Sequence, residues 1–352
     1  MPFETVVRKT EDYLKIPSVV GFEGPFLRYL AQDFAALGIK ATLQKNLLIL
    51  SGKQPHRHII TAHADRHGLI SIGHDRYAYA AALIKKQKYN EDSLMTDKVL
   101  NAIRERFVGE DVYAYEPEDG TILARGAILA THDKYDINPD DGAHPSVTFD
   151  IDDIDLAEAG VPIAYARRAE TNGPLIKGQI DNVLSLALIY VLYQNGYQGT
   201  ALITTEEEIG KSWLHIKNYF EGQKIETKKL LVLDTSPYRE KTPIQNYYVV
   251  LRERDKHAPF HADLVKNLVK RCERLTLPYQ VKDRYFLSQG LDVDALGSTE
   301  LGRLVAETQS RWNGATIQIP TTEYHTSFET TSRGCIDNVY RLLSDCLIEN
   351  PL

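Results

Sequence analysis

The spacing of hydrophobic residues changes along the chain and predicts different structures in its different parts. Near the N-terminus apolar residues recur every three or four positions, which predicts helices over 3–14 and 26–37. Apolar runs at 41–50 and 56–64 follow and predict strands. From about residue 178 onwards, apolar helix-like stretches alternate with strand-like runs, as in a three-layer α/β domain.

The stretch from 69 to 176 has a different pattern. Its apolar residues fall in short runs such as 111–117 and 121–130, which are separated by Gly, Pro and Asp. Short strands with turns of this kind predict a small β-rich module. We therefore predict one α/β domain formed by residues 1–68 and 177–352, interrupted by a β-rich, barrel-like domain over 69–176.

The composition of the chain indicates which classes of binding partner and which cellular compartment to expect. The formal net charge is −7, which argues against nucleic acid as the main partner, and the basic cluster Lys85–Lys88 is interpreted as a solvated face. No apolar stretch approaches the roughly 20 residues needed to cross a bilayer, so no membrane partner is expected. The three cysteines form no CxxC pair, which favours a reducing cytoplasm.

Residues of metal-binding type stand at the starts or ends of predicted elements. There are five of them: His63, Asp181, Glu208, Asp234 and His325. Open α/β sheets place their sites at the carboxyl ends of strands, so these residues are candidates for one common site. Two histidines and three carboxylates can hold two divalent cations when one carboxylate bridges them. Such donors suit zinc, with cobalt or manganese as alternatives.

Two further acidic residues are candidates for supporting roles. Asp65 lies two positions after His63, where it could orient the imidazole through the ring nitrogen that does not bind metal. Glu207 lies directly beside Glu208, where a general base is needed. Taken singly, these motifs also fit a polar strand end, an exposed acidic loop or, at Asp181, a helix cap, so the hypothesis rests on their combination.

With these residues in place, the chain resembles the co-catalytic aminopeptidases of the glutamyl and deblocking type. This is metallopeptidase family forty-two, whose self-assembling members form tetrahedral particles. The resemblance covers nearly the whole chain, and its motifs occur in order. They are His63-Ala64-Asp65, Asp181-Asn182 opening a helix, Glu207-Glu208-Ile209-Gly210, the strand-end Asp234, and Ile319-Pro320-Thr321 leading to His325.

The resemblance implies a fold, a site and an activity. The fold would be a three-layer αβα metallopeptidase domain whose inserted domain serves dimerisation or acts as a lid. Asp181 would bridge two ions, His63 and Asp234 would complete one metal site, and Glu208 and His325 the other. Glu207 would be the general base in the release of N-terminal residues from short peptides. The chain would form a homo-oligomer such as a dodecamer.

The sequence departs from the family pattern at two places beside the predicted ligands. The family commonly has Glu after the His-x-Asp pair, where this chain has Arg66 followed by His67. It also has a second Asp after the bridging one, where this chain has Asn182. These departures leave metal preference and substrate preference open, and His67 adds an imidazole that competes in the ligand assignment. Gly290-Leu291-Asp292 resembles the Gly-Thr-Asp loop near the family's site.

Two other functions are compatible with parts of the sequence. A two-metal deacylase or carboxypeptidase would use the same kind of catalytic domain, but its inserted domain is usually an α+β lid, which the β-rich pattern of 111–130 disfavours. A non-catalytic scaffold derived from such an enzyme would be expected to have lost ligands, whereas all five are present. The sequence does not predict which N-terminal residue is preferred.

Overall fold

The computed structural model describes residues 2–73, 76–93, 96–138, 142–154 and 158–352. For residues 2, 131–138 and 142–148 it describes the backbone alone. The described residues form seventeen β-strands, which are β1 (Lys40–Gln44), β2 (Leu47–Ser51), β3 (Ile59–His63), β4 (Leu69–Gly73), β5 (Arg76–Tyr79), β6 (Asp111–Tyr115), β7 (Ile122–Asn138), β8 (Gly142–Asp152), β9 (Ala159–Tyr165), β10 (Glu170–Asn172), β11 (Leu175–Gly178), β12 (Thr200–Thr204), β13 (Leu230–Pro237), β14 (Val249–Leu251), β15 (Tyr279–Val281), β16 (Gly314–Thr321) and β17 (Glu329–Ser332).

The same residues form eleven α-helices and two short helical turns. The helices are α1 (Pro2–Leu14), α2 (Gly24–Ala35), α3 (Ala80–Tyr89), α4 (Asp97–Phe107), α5 (Val183–Gln194), α6 (Ser212–Gln223), α7 (Thr242–Gln245), α8 (Ala262–Arg274), α9 (Lys282–Ser288), α10 (Glu300–Glu307) and α11 (Arg333–Ser344). A 3₁₀ turn spans Val293–Leu296 and a π-helical turn spans Asp345–Glu349. Among the described residues, no helix is long and apolar enough to cross a membrane.

The main sheet has eight strands in the order β1-β2-β12-β3-β13-β16-β14-β15. Its four central strands, β12, β3, β13 and β16, run parallel. Every residue of β3, β12 and β16 is buried, because helices cover both faces of the sheet. Helices α1, α5 and α11 contact one another, and α6 contacts α10. The predicted three-layer α/β architecture is confirmed.

Six strands close into a barrel in the order β4-β5-β8-β7-β6-β9. The barrel has its own apolar core, to which α4 contributes Phe107 between the rings of Phe149 and Tyr165. The predicted β-rich insertion is therefore present. The domain boundaries at 68/69 and 176/177 stay predictions. The small sheet β10-β11-β17 crosses the second of them.

Two elements of the insertion differ from the sequence pattern. The strand predicted over 121–130 continues to Asn138, because β7 pairs with β8 from Ala127 to Asn138. Helix α3 begins directly after β5 and carries the basic cluster Lys85–Lys88. The prediction that this cluster is merely a solvated face is wrong. The Lys88 ammonium pairs with the buried carboxylate of Glu206, and Lys85 lines a cleft beside the candidate site.

Candidate metal centre

The five predicted ligands meet at the carboxyl edge of the central parallel strands. His63 is the last residue of β3 and pairs with Thr204, the last residue of β12. Glu208 lies in the loop after β12, and Asp181 precedes α5. His325 follows β16 by a few residues, in a loop where its backbone is left-handed (φ 63°). Asp234 was predicted at a strand end, but β13 continues to Pro237 because it pairs with β16 as far as Thr321.

One group of donors consists of His63, Asp181 and Asp234, all buried. The Nε2 atom of His63 lies 3.3 Å from Oδ1 of Asp181 and 3.5 Å from Oδ1 of Asp234. These spacings are longer than the ~2.7–2.9 Å of a charge-assisted hydrogen bond. Three donors bound at ~2.0–2.1 Å to one tetrahedral ion would lie about 3.3–3.4 Å apart, which agrees with the observed spacing.

A second group lies on the other side of Asp181. The Nε2 atom of His325 is 3.5 Å from Oδ2 of Asp181 and 3.4 Å from Oε2 of Glu208. Asp181 therefore directs one carboxylate oxygen to each group, as a bridging ligand would. Both oxygens of Asp181 and Nε2 of His325 are buried and have no hydrogen-bond partner among the described residues. Orphaned buried polar atoms of this kind fit divalent cations between the groups.

The charges of the site are unbalanced without cations. Burial raises the pKa of Glu208 to about 7 and lowers the pKa of His325 to about 4. Burial and the neighbouring Asp181 carboxylate also raise the pKa of Asp234 above its ordinary value. At Asp181 burial acts in the same direction, but the contacts with His325 and His63 hold the pKa below its usual range. Several carboxylates close together in a buried place repel one another, and bound cations would relieve that repulsion.

Asp65 supports the site through the backbone of the Glu207–Glu208 pair. Its two carboxylate oxygens accept hydrogen bonds from the N–H groups of Glu207 (3.0 Å) and Glu208 (2.9 Å). The Nδ1 atom of His63 lies 3.1 Å from the carbonyl oxygen of Asp65 and 3.6 Å from its carboxylate. The structure thus differs from the prediction in the atom that faces His63, because the two amide groups occupy the carboxylate.

Glu207 lines the cleft beside Asp234 and Glu208. Burial raises the pKa of Glu207 well above its ordinary value, and the carboxylates of Asp234 and Glu208 act in the same direction. The side chain therefore has a high proton affinity at the edge of the two donor groups.

Sequence reasoning missed Glu329, a fully buried residue at the start of β17. Its Oε2 atom accepts the N–H of Asp181 at 2.8 Å, and its Oε1 atom accepts the N–H of His325 at 2.6 Å. One carboxylate thereby fixes the backbone of two candidate ligands. Its position four residues after His325 was the available signal, since it belongs to the same short loop.

The residues that depart from the family pattern differ in whether their side chains face the donor groups. Arg66 points away from the donor groups and donates to Ser18 Oγ (2.6 Å) and to the carbonyl oxygen of Ile16. Asn182 donates to the carbonyl oxygen of Leu233 at 2.9 Å. His67 instead faces the second group, with Nε2 2.8 Å from Oε2 of Glu208.

A cleft of about 380 Å³ opens beside the two donor groups. Its lining includes four basic side chains: Lys85, Arg252, Lys282 and Arg303. Residues 296–298 also line it, whereas the exposed Gly290–Asp292 segment does not; Asp292 caps the 3₁₀ turn through the N–H of Ala295 (3.0 Å).

Comparison with known families matches residues 156–342, just over half of the chain, to the family described as M42 glutamyl aminopeptidase. No curated protein sequence matches the chain. Three similar solved structures are the following. The aminopeptidase APDkam598 of the archaeon Desulfurococcus kamchatkensis has a TM-score of 0.73 and 16% identity, covering 99% of this chain and 96% of that one. The TET aminopeptidase of Thaumarchaeota archaeon SCGC AB-539-E09 has a TM-score of 0.72 and 14% identity, covering 99% and 97%. The TET1 peptidase of Pyrococcus horikoshii has a TM-score of 0.68 and 17% identity, covering 98% and 99%.

These structures show that the fold is that of the TET aminopeptidases over nearly the whole chain. Because the family match spans more than half of the sequence, the chain belongs to the M42 glutamyl aminopeptidase family and is a peptide hydrolase. The resemblance predicted from the motifs is confirmed. The family is metal-dependent, and the two donor groups are the candidate metal sites.

Proposed function

We propose that this chain is a two-metal aminopeptidase that releases N-terminal residues, preferentially acidic ones, from short peptides. The observation that carries the proposal is the geometry of Asp181, whose two unpartnered oxygens face two separate groups of donors. A carboxylate in this position bridges two ions, which is the arrangement of two-metal hydrolases.

In this proposal His63, Asp181 and Asp234 hold one ion, and Asp181, Glu208 and His325 hold the other. When bound, the two ions would polarise the scissile carbonyl and make a water molecule more acidic. The mixture of imidazole and carboxylate donors favours zinc over magnesium or calcium, and also accommodates cobalt or manganese.

Glu207 would carry the proton transfers. Its carboxylate would take a proton from the attacking water and then donate that proton to the leaving amine nitrogen. The raised proton affinity of Glu207 suits this double role. The hydrogen bond from its N–H to Asp65 fixes the backbone from which the side chain extends into the cleft.

The preference for an acidic N-terminal residue rests on two buried basic side chains in the cleft. Arg252 and Lys282 are 2% and 3% exposed, and among the described residues neither has a carboxylate within 4 Å. Lys282 donates only to Ser236 Oγ (2.8 Å) and to the carbonyl oxygen of Pro237 (3.0 Å). Burial and the charge of Arg252 lower the pKa of Lys282 well below its usual value. Asp255, Asp283 and Asp234 act on Arg252 only from beyond ion-pair distance, so a substrate carboxylate would be the first to contact either side chain directly.

Self-association is part of the proposal. The TET1 peptidase of Pyrococcus horikoshii assembles into a tetrahedron or a large octahedral shell. In this chain the barrel exposes Leu123 and Leu129 on β7, where the two side chains are 48% and 59% exposed. We infer that the barrel forms subunit contacts in a homo-oligomer and that assembly restricts the site to short peptides.

The test is amide hydrolysis by the apoprotein before and after zinc, cobalt or manganese is restored. The panel would contain aminoacyl-p-nitroanilides and short peptides with Glu, Asp, Gln, Leu or Lys at the free N-terminus, together with N-acetylated versions. We expect metal-dependent release of N-terminal Glu and Asp, and no cleavage of acetylated substrates. Turnover of acetylated substrates alone would favour a deacylase, and full activity without metal would refute the proposal.

A further inference from the structure

His67 is a third imidazole at the second donor group, and the roles described so far do not use it. It is buried, and it replaces no residue among the five predicted ligands. Its Nε2 atom lies 2.8 Å from Oε2 of Glu208 and 2.9 Å from Nδ1 of His325. Its Nε2 atom therefore lies between the Glu208 carboxylate and the Nδ1 side of the His325 ring.

We propose that His67 is a further ligand of the second ion, beside Glu208, His325 and the bridging Asp181. This inference rests on the proposed two-metal function. It gives the second ion two imidazoles and two carboxylates, whereas the first ion has one imidazole, from His63, and two carboxylates. The two sites would then differ in ligand chemistry.

The spacing of the donors supports this assignment. Adjacent donors at ~2.0–2.1 Å from a five- or six-coordinate ion lie about 2.9 Å apart, close to the 2.8 Å between His67 Nε2 and Glu208 Oε2. The other donor pairs, at both proposed sites, are 3.3–3.5 Å apart. An expanded coordination sphere at the second ion follows from the additional imidazole.

The second nitrogen of His67 is held as in a metal-bound histidine. Its Nδ1 atom lies 2.6 Å from Oη of Tyr79, and Arg106 Nη1 lies 3.3 Å from the same oxygen. Histidine ligands usually donate their other ring N–H to an oxygen atom, which fixes the tautomer and the ring plane. With His67 as a ligand, Nδ1 would donate to Tyr79, and the ion at Nε2 would replace the present contact between Nε2 and Nδ1 of His325.

This arrangement links the barrel to the metal. Tyr79 is the last residue of β5, and Arg106, which donates to Tyr79, lies in α4, so the side chains that hold Nδ1 of His67 come from the inserted segment. The ring of Tyr79 also stacks on His67 with centroids 5.5 Å apart. The barrel would thus position a ligand as well as form contacts between subunits.

The chemical consequence is a change of metal preference. Imidazole suits zinc and cobalt, whereas manganese favours oxygen donors. A second imidazole should therefore increase the preference of the second ion for zinc and cobalt over manganese. Removal of His67 should reduce that preference without affecting the ion held by His63.

The first test uses the unaltered protein loaded with zinc. X-ray absorption at the zinc edge counts imidazoles, and we expect about three histidine ligands for two bound ions. Two histidines for two ions would overturn the inference, because His67 would then only hydrogen-bond to Glu208. This measurement requires no variant and no activity.

The second test compares His67→Phe with His67→Gln by calorimetric titration of zinc and manganese into apoprotein. We expect His67→Phe to weaken the second zinc about 100-fold and to leave the first unchanged, with a smaller loss for manganese. Gln retains an N–H donor but is a poor zinc ligand, so His67→Gln should show nearly the same loss. Restoration of zinc affinity by Gln would show a hydrogen-bonding role and overturn the inference.

The outcomes separate this inference from the proposed function. Two bound ions with only two imidazoles would refute the role of His67 and leave the aminopeptidase proposal intact. Two ions with three imidazoles and no peptide cleavage would refute the aminopeptidase proposal alone. Binding of fewer than two ions would refute both.

Discussion

At the scale of single residues, the site depends on side chains that hold one another in place across the sequence. Asp181 faces both donor groups, Glu329 fixes the backbone of Asp181 and His325, and Asp65 fixes the Glu207–Glu208 pair. The ligands are thus supported by two carboxylates that do not themselves join the donor groups. Such support is characteristic of sites whose geometry has to be maintained before substrate binds.

The role of Glu207 can be tested by Glu207→Gln, which keeps the size of the side chain but removes its proton affinity. We expect kcat to fall by at least about 100-fold, because general-base catalysis contributes ~10²–10⁴. Zinc content should stay the same, since Glu207 belongs to neither donor group. A variant with near-normal kcat would refute the assignment, and a loss of zinc would indicate a ligand role instead.

The acidic preference can be tested by Lys282→Met. We expect kcat/KM for an N-terminal Glu substrate to fall about 10–100-fold, since a hydrogen bond between charged groups contributes ~1.5–3 kcal/mol. The matched Gln substrate is the control, because any general damage to the cleft would lower both values. An equal loss for Glu and Gln would contradict contact between Lys282 and the substrate carboxylate.

Part of the site can be predicted from sequence at this scale. His63, Glu208 and Asp234 follow apolar runs that fix them at one edge of a parallel sheet, and Asp181 opens the following helix. The direction of the neighbouring side chains is not predictable in this way. Arg66 turns away to Ser18 while His67 turns towards Glu208, and only the packing around Val19 and the barrel decides which of the two enters the site.

At the scale of elements, helix α3 attaches the insertion to the catalytic sheet. Glu206 is fully buried, and its carboxylate accepts hydrogen bonds from Tyr89 Oη (2.6 Å), from His215 Nε2 (2.8 Å) and from the Lys88 ammonium. Lys88 and Tyr89 end α3, whereas His215 belongs to α6. A buried carboxylate needs such partners, so α3 is held at this position.

The contribution of this contact can be measured with Lys88→Met. Removal of one partner of a buried ion pair is costly, and we expect the free energy of unfolding to fall by about 2 kcal/mol. Lys86→Met is a control on the same helix, since Lys86 pairs with the half-exposed Asp92 and should change stability by less than about 0.5 kcal/mol. Equal effects in urea unfolding would contradict the docking role of Lys88.

The same contact predicts a dependence on pH. Burial acts to raise the pKa of Glu206, but its bonds to His215, Lys88 and Tyr89 hold it at about 2, below the usual 4.5. A depressed pKa stabilises the fold above the unfolded value, and this stabilisation is lost as pH falls from about 4.5 towards about 2. The difference between wild type and Lys88→Met should therefore be smaller at pH 3 than at pH 7. A constant difference in urea unfolding would contradict this prediction.

Helices and strands can be predicted from the sequence where their hydrophobic residues recur with a single clear spacing. The apolar helix after Asp181 and the strand over 56–64 have a clear pattern, and they appear in the structure as α5 and β3. The sequence pattern does not reveal helix α3, because Ala80 follows Tyr77-Ala78-Tyr79 and extends the alternation of β5 into the start of the helix. Its stability comes from contacts at Glu206, which are distant in sequence and leave no local signal.

At the scale of the whole molecule, the proposed function gives the barrel a part in both assembly and catalysis. Its strands expose Leu123 and Leu129 to the outside, and its strand β5 places Tyr79 beside His67 at the candidate metal centre. The presence of an insertion was predictable from the change of pattern near 69. The hydrophobic pattern by itself does not show closure into a barrel, since closure depends on the pairing of β4 with β9 across about ninety residues.

The assembly proposal can be tested by Leu129→Glu, with mass measured by light scattering after gel filtration. We expect wild type to be a homo-oligomer and the variant to dissociate into smaller species, because a buried charge at an interface is unfavourable. Leu43→Glu is the control, as Leu43 is 44% exposed on the edge strand β1 of the catalytic part. A monomeric wild type, or an unchanged variant, would contradict a barrel-mediated assembly.

The central claim is that two ions bridged by Asp181 perform aminopeptidase chemistry. The most direct measurement adds zinc stepwise to apoprotein and follows bound zinc and the release of N-terminal Glu in the same samples. The account predicts saturation at two zinc ions per chain, full activity only when both are bound, and loss of both binding and activity in Asp181→Asn. Full activity with one ion, or unchanged zinc binding in Asp181→Asn, would contradict it.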